Sequence, residues 1–258
     1  MLTVTSNLVG PDYGNYGLGN QIFQVAALLS FAKDNNFKAT FPVLKDPKQG
    51  GYLDNFFRNV STDEPESIRH CYTEPSFRYT PIPKFNFSFH VSNSYLQSEK
   101  YFLENRQLIL DTFKPKEDDL NYLKNKYATD HYDTSMHIRR GDYLHDRYSN
   151  YHTNLMTTGY YRKALHKLDA SKVLLFCDEP EWAKIAFPEY MVVEEKDYME
   201  LYLMSLCKNN IIANSSFSWW GAWLNQNENK TVIAPENWFG PSNNLPKDDI
   251  IPEDWIVV

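Results

Sequence analysis

Lys172-Val173-Leu174-Leu175-Phe176, followed at once by Cys177-Asp178-Glu179-Pro180, decides the fold class. An apolar run of this length without alternation predicts a strand covered on both faces, the usual state of a strand in a parallel sheet flanked by helices. Pro180 stands in the first turn of the helix that would follow, where a missing N–H costs nothing.

Working outward, the same alternation repeats. Residues 135–138 end a strand, 160–168 read as a helix, 199–207 as a helix, 211–213 as a strand and 217–224 as a helix. Residues 231–234 form a last strand, stopped by Pro235. Toward the N-terminus, residues 2–9 read as a strand, 10–19 as a Gly-rich loop and 21–31 as a helix buried on most sides. Residues 38–41 form a short strand ended by Pro42. From 42 to 93 the chain is loop-rich, because Pro65, Pro75, Pro81 and Pro83 break any long element. Residues 103–127 predict one or two amphipathic helices interrupted at Pro115. Strand–helix alternation of this kind implies parallel sheets with ligands beyond the carboxyl ends of the strands. A boundary near Ala128 divides the chain into an N-terminal half, 1–128, and a C-terminal half, 129–258.

Composition bounds the partners. The 258 residues are 42% hydrophobic and 23% charged, enough to build real cores. A formal net charge of -7 argues against general attraction to nucleic acid or to an anionic membrane, so an anionic ligand must find its cations locally. Aromatic residues, at 16%, fit core packing first and contact with the apolar face of a sugar second. Cys71, Cys177 and Cys207 are an odd, widely spaced set, neither a disulfide framework nor a metal quartet, and read as small buried residues of a reducing compartment. The N-terminus has no basic or apolar leader and no apolar run approaches ~20 residues, so a cytoplasmic protein with no integral membrane segment is expected.

Four segments carry chemistry. His137-Ile138-Arg139-Arg140-Gly141-Asp142-Tyr143 puts two guanidinium groups at a strand end. They fit a phosphate, which a guanidinium grips with two parallel N–H bonds, with Asp142 orienting an arginine. A surface salt-bridge cluster is the plain alternative. Asn214-Ser215-Ser216-Phe217-Ser218-Trp219-Trp220-Gly221-Ala222-Trp223 opens a helix after a strand. Serine hydroxyls and first-turn amides bind phosphate there, while Ser215 or Ser216 also suits simple N-capping and the tryptophans suit packing. Gly17-Leu18-Gly19-Asn20-Gln21 lies between the first strand and helix. The full dinucleotide fingerprint is absent, which removes a nicotinamide or flavin dehydrogenase, yet the glycines allow close approach and Asn20 can point donors at a ligand. Asp178 or Glu179, just past the apolar strand, can accept the paired N–H donors of a guanine edge or favour a helix dipole. No P-loop, no nucleophile elbow, no metal-spaced histidines and no Asp-x-Asp pair after a strand is present; Asp118-Asp119 and Asp248-Asp249 lie in polar segments read as exposed.

Taken in order, these segments resemble the α-1,2-fucosyltransferases of glycosyltransferase family 11. Gly17-Leu18-Gly19-Asn20-Gln21-Ile22-Phe23-Gln24 is similar to the family's N-terminal signature, Tyr95-Leu96-Gln97-Ser98-Glu99-Lys100-Tyr101-Phe102 to a second shared stretch, 137–143 to the fucosyltransferase arginine motif, and 205–224 to the long C-terminal motif. The resemblance implies an α/β fold of GT-B type, two Rossmann-like domains facing across a cleft, the first on the acceptor side and the second binding the donor. It implies GDP-β-L-fucose as co-substrate, a galactose-terminated glycan as acceptor, inversion at the anomeric carbon, and neither metal nor cofactor. Arg139 is expected on the β-phosphate, and His137 with Asp178 or Glu179 near the nucleotide. Arg140, Asp142, Ser215, Ser216, Phe217 and Ser218 are expected to help hold the donor. Asn20 is expected at the reacting centre, flanked by Gly17, Gly19 and Gln21. Residues 10–16 lengthen the first loop relative to the family's short turn and are read as an acceptor contact. The rival readings are an α-1,6 or protein O-linked fucosyltransferase and a non-catalytic sugar-binding protein.

Overall fold

Strands and helices alternate along the described residues, 1–8, 17–65, 67–127, 131–145 and 149–258, of the computed structural model. They fall into two units, Met1–Pro115 with Pro246–Pro252, and Lys116–Leu245 with Glu253–Val258. The loop at 10–16 lies outside the described residues.

The first unit is built from β1 (Leu2–Ser6), α1 (Leu18–Asn35), β2 (Phe37–Thr40), β3 (His70–Tyr72), β4 (Phe89–Val91) and α2 (Arg106–Thr112). Its sheet is wholly parallel in the order β2-β1-β4-β3. Ile22, Phe23, Val25, Ala26, Ala27 and Leu28 of α1 are at most 1% exposed, so this helix lacks a solvent face, as its unbroken apolar sequence predicts. Asn36, at φ 59°, ends it in the left-handed conformation that asparagine tolerates. Phe31, Phe37 and Phe89 meet edge to face, with centroids 5.3 to 5.9 Å apart, and join α1 to the sheet. β3 and β4 have three residues each and emerge from the stretch read as loop-rich. Such short strands carry no legible period; rings packed on them, His70 with Phe87, Tyr72 with Phe85 and Phe85 with Phe89, come from residues distant in the pattern.

The second unit contains α3 (Glu117–Tyr127), β5 (Thr134–Ile138), α4 (Tyr160–Leu168), β6 (Val173–Cys177), α5 (Pro180–Ala186), β7 (Met191–Val192), α6 (Asp197–Leu206), β8 (Asn209–Ile211), α7 (Ser216–Trp223), β9 (Thr231–Ala234) and β10 (Ile256–Val257). All six strands are parallel, in the order β10-β9-β8-β5-β6-β7. Every residue of β6 is buried, so both of its faces are covered as expected. Trp219, Trp220 and Trp223 are at most 1% exposed and pack the interior rather than a ligand. Gly221 lets α7 approach α6, since a Cβ there would stand 2.7 Å from the Met204 Cβ.

The expected boundary at 128/129 lies outside the described residues. The helix before it, α3, is in the second unit: Leu123 and Tyr127 are buried, and Tyr122, Lys126 and Tyr127 converge on Glu195. Two readings are corrected. Cys71 is exposed rather than buried, because β3 is an edge strand, and its Sγ lies 2.8 Å from Ser92 Oγ. Asp249 is half-buried rather than exposed, because Lys100 Nζ and the Tyr79 amide both donate to it. No helix among the described residues is long and apolar enough to cross a membrane.

Candidate functional site

Each sheet reverses direction once. In the second unit β5 leads to β6 and β7 on one side, and the chain then returns to place β8 on the other side of β5. Connections after β5 and β8 therefore diverge at the carboxyl edge and leave a crevice for a ligand. Residues 137–143 leave β5 at that edge and 214–218 leave β8 there.

His137 lies within β5, 4% exposed, and its Nδ1 has no hydrogen-bond partner among the described residues. Burial, reinforced by Arg139, pushes its pKa down to about 3, so the ring is neutral. Its centroid lies 5.6 Å from that of Phe217, which links the two segments.

Arg139 Nη2 pairs with Asp142 Oδ1 at 2.8 Å and its Nη1 with Asp178 Oδ2 at 3.3 Å. Burial disfavours this charge, but the two carboxylates outweigh burial and hold the guanidinium above its ordinary pKa. Arg140 Nε donates to Glu179 Oε2 at 2.9 Å, and its guanidinium lies 3.7 Å from the centre of the Trp182 ring. The other Asp178 oxygen accepts from the Arg140 backbone N–H at 2.9 Å. Asp178 thus grips both arginines, one by side chain and one by backbone. Gly141 makes room for this: a Cβ there would stand 2.6 Å from Asp178 Oδ2. The salt-bridge reading of the arginines and the anion-binding reading coexist, since a guanidinium has five N–H donors and these contacts use few of them.

Tyr143 closes the segment. Its ring lies 5.6 Å from the Arg139 guanidinium and its hydroxyl donates to the Asn214 carbonyl at 3.0 Å. Asn214 is 2% exposed and its Nδ2 donates to Thr153 O and Trp238 O. The connection after β5 is thereby tied to the start of α7. There Ser215 is the N-cap, accepting from the Phe217 amide at 3.3 Å. Ser216 and Phe217 are half-buried in the first turn of α7; the Phe217 amide is taken up by the cap, and the Ser216 amide stands where an anion is favoured. The Ser218 hydroxyl faces inward instead: it is 1% exposed, accepts from Ala213 N and donates to Ser215 O.

The remaining expected residues belong to the first unit and form their own group. Gly17 is exposed and precedes α1, and Gly19 is buried in the first turn. Asn20 is half-buried, and its Oδ1 accepts from Gln97 Nε2 at 2.7 Å. Gln21 is 1% exposed and turned inward, its Nε2 donating to the Gln49 carbonyl. No group of three or more His, Cys, Asp or Glu among the described residues is placed to hold a metal ion.

Sequence reading missed Trp182, His152 and Gln97 as parts of these sites. Trp182 sits two residues past Pro180, where a ring near a helix start gave a weak cue. His152 is far along the chain and shows no local pattern. Gln97 lies within residues 95–102, where nothing in the sequence reveals its partner.

Residues 13–258 match the family described as Glycosyl transferase family 11. The chain is 32% identical to the O-antigen biosynthesis glycosyltransferase WbnK of Escherichia coli, over 93% of this chain and 97% of that protein. It is 29% identical to an Escherichia coli alpha-1,2-colitosyltransferase, covering 93% and 95% of the two chains. It is 27% identical to the galactoside 2-alpha-L-fucosyltransferase of Caenorhabditis elegans, covering 83% and 68%. The structure of Arabidopsis thaliana FUT1 in complex with GDP superposes with a TM-score of 0.55 at 13% identity, covering 93% of this chain and 74% of that one. That likeness is one of fold, and it agrees with two Rossmann-like α/β units of GT-B type. With the ordered motifs, the arginine pair at a switch point and a family match over nearly the whole length, the chain belongs to glycosyltransferase family 11.

Proposed function

We propose that this protein transfers L-fucose from GDP-β-L-fucose to the 2-hydroxyl of a galactose-type acceptor, with inversion and without a metal ion. The observation that carries the reading is the pairing, at one switch point, of the Arg139–Arg140 segment with the start of α7. The relative from Caenorhabditis elegans, a galactoside 2-alpha-L-fucosyltransferase, supports the linkage and the transferred sugar.

In this reading the bond from fucose C1 to the β-phosphate oxygen breaks as the acceptor oxygen bonds to C1 from the opposite face. Negative charge grows on the diphosphate as GDP leaves. Arg139, held by Asp142 and Asp178, offers its remaining N–H donors to that charge, and the Ser216 amide at the capped start of α7 adds to it. Fixed cations and amides of this kind supply the charge neutralisation that other transferases draw from a divalent ion. Arg140, kept in place by Glu179 and Trp182, reinforces the field. His137, neutral and buried, contributes a hydrogen bond to the donor through its Nδ1 rather than a charge. The acceptor hydroxyl loses its proton late, as expected with so good a leaving group, and no side chain is assigned as its base.

The test is the product. Purified protein, GDP-fucose and lactose should yield a fucosyl-lactose whose new linkage, read by NMR, is to galactose O2, while 2′-deoxylactose yields nothing. A linkage to another hydroxyl contradicts the reading. A second reading is favoured by the colitosyltransferase relative. Colitose is L-fucose without its 3-hydroxyl, so comparing kcat/KM for the two GDP-sugars separates a site that bonds this hydroxyl from one that does not.

A further inference from the structure

One helix of the second unit carries a run of free cations. Along α4, Arg162, Lys163, His166 and Lys167 are exposed, and exposed Lys172 follows just before β6. None of the five makes an ion pair or a side-chain hydrogen bond among the described residues. Asp169 is the single acid between residues 160 and 172. Such a cluster stands out in a chain whose formal net charge is -7.

Helix stability does not explain the pattern. α4 buries Tyr160, Tyr161 and Ala164, which leaves 162, 163, 166 and 167 toward solvent. His166 and Lys167, in the last turn, suit the helix dipole. Arg162 and Lys163 stand in the first turn, where the dipole favours acids instead. Lys163 and Lys167 form a like-charged i,i+4 pair, a spacing that weakens a helix. The neighbouring surface is apolar. β5, β6 and β7 step across the sheet in one direction, so right-handed crossovers put α4 and α5 on the same face. Ala164 of α4 and Ala183 of α5 share one core beneath them. On α5, Ile185 is 81% exposed, and Ala186 and Pro188 are exposed beyond it. Of the acids around α5, Glu181 and Glu194 are both engaged by Lys184, which leaves Glu189.

We propose that this face of the second unit, the cationic side of α4 with the exposed end of α5, is a peripheral docking surface for an anionic phospholipid bilayer. Arg162, Lys163, Lys167 and Lys172 meet the headgroup phosphates, and Ile185 enters between the headgroups. Charge complementarity selects an anionic partner, and the residue types select a bilayer. Lysine is depleted where proteins bind proteins, whereas each lysine near a charged membrane surface adds to the attraction. A single protruding apolar side chain beside a basic helix face is the pattern of a surface that lies on a membrane. The net charge of the chain opposes general attraction to such a surface, so contact is confined to this face. The proposal is independent of the fucosyl-transfer reading.

Vesicle flotation tests it. The full-length protein is mixed with vesicles of phosphatidylglycerol and phosphatidylcholine in equal parts, or of phosphatidylcholine alone, at about 0.1 M salt, where the Debye length is about 10 Å. The protein should float with the anionic vesicles only, and raising the salt should release most of it. Lys163→Gln with Lys167→Gln should lower the partition constant about 25-fold, about fivefold for each lysine. Lys163→Arg with Lys167→Arg should keep it, and Ile185→Ser should weaken the binding that salt leaves. Lys33→Gln with Lys124→Gln removes the same charge from other surfaces and should leave binding near the parent's. A Tm at or above the parent's, expected when a like-charged pair is relieved, shows that the α4 variant is folded. Failure of the parent to float with anionic vesicles, equal flotation with phosphatidylcholine alone, or equal losses in the two glutamine variants would overturn the proposal. Retention on poly-glutamate without flotation would assign the face to an acidic protein and overturn it as well.

Discussion

Tyr143 lies flat against His152, ring centroids 3.8 Å apart and planes 6° from parallel. The stack locks the end of the arginine segment against a residue from a separate part of the chain. The Tyr143 hydroxyl then reaches the Asn214 carbonyl, next to the N-cap of α7. The two phosphate-binding segments proposed here are thus one mechanical piece, and displacing either should disturb the other.

The first prediction concerns charge. Arg139→Ala should lower kcat/KM by ~10²-fold or more, and Arg139→Lys should recover little, because one ammonium cannot satisfy Asp142, Asp178 and a phosphate at once. Initial rates with GDP-fucose and lactose measure this. Near-parental rates in Arg139→Ala would remove Arg139 from the mechanism.

A second prediction concerns space. In Gly141→Ala the new Cβ would meet Asp178 Oδ2 at 2.6 Å, so the carboxylate must leave the Arg140 amide or the Arg139 guanidinium. A shift of this size at a positioned cation is expected to cost ~10-fold or more in kcat with little change in GDP-independent stability. Stopped assays and thermal melts on the same preparation separate the two effects.

Stability should respond to pH with opposite signs at different residues. Burial pushes His152 down to about 4 and His137 down to about 3, from an ordinary 6.5. The unfolded chain binds these protons first, so their contribution is full above about 6.5 and is lost as pH falls toward those values, by about 1.4 kcal/mol per pH unit for each group inside its window. His152→Phe should keep the stack on Tyr143 and flatten the acid loss of Tm. Glu200 runs the other way: burial raises it to about 7 from 4.5, so the folded chain holds its proton longer. Its contribution is full below about 4.5 and fades as pH rises to about 7, and Glu200→Gln should raise Tm at pH 8 but not at pH 4. An unchanged pH profile in both variants would contradict these assignments.

Helix packing gives a fourth. Gly221→Ala forces the new methyl to within 2.7 Å of the Met204 Cβ, so α6 and α7 must part. Overpacking of this kind costs roughly 1–3 kcal/mol, which urea unfolding would resolve.

Much of the second unit was legible in sequence because its signals are local. The helix at 160–168 and the strand at 231–234 coincide with the predicted bounds, and the apolar strand around Leu174 lies within a residue of its prediction. The arginine segment could be placed beyond a strand for the same reason. What stayed hidden depends on distant partners. β3 and β4 acquire their identity only by pairing with each other and with β1. The inward turn of Ser218 comes from Ala213 and Ser215, and that of Gln21 from the Gln49 carbonyl. No pattern announces that His152 meets Tyr143 or that Gln97 meets Asn20.

The most direct test of the account is release of GDP from GDP-fucose by the purified protein in EDTA, with and without lactose. Release that rises severalfold with lactose despite the chelator, and that collapses in Arg139→Ala, is the predicted result. Release that lactose does not stimulate, or that EDTA abolishes and a divalent cation restores, would contradict it.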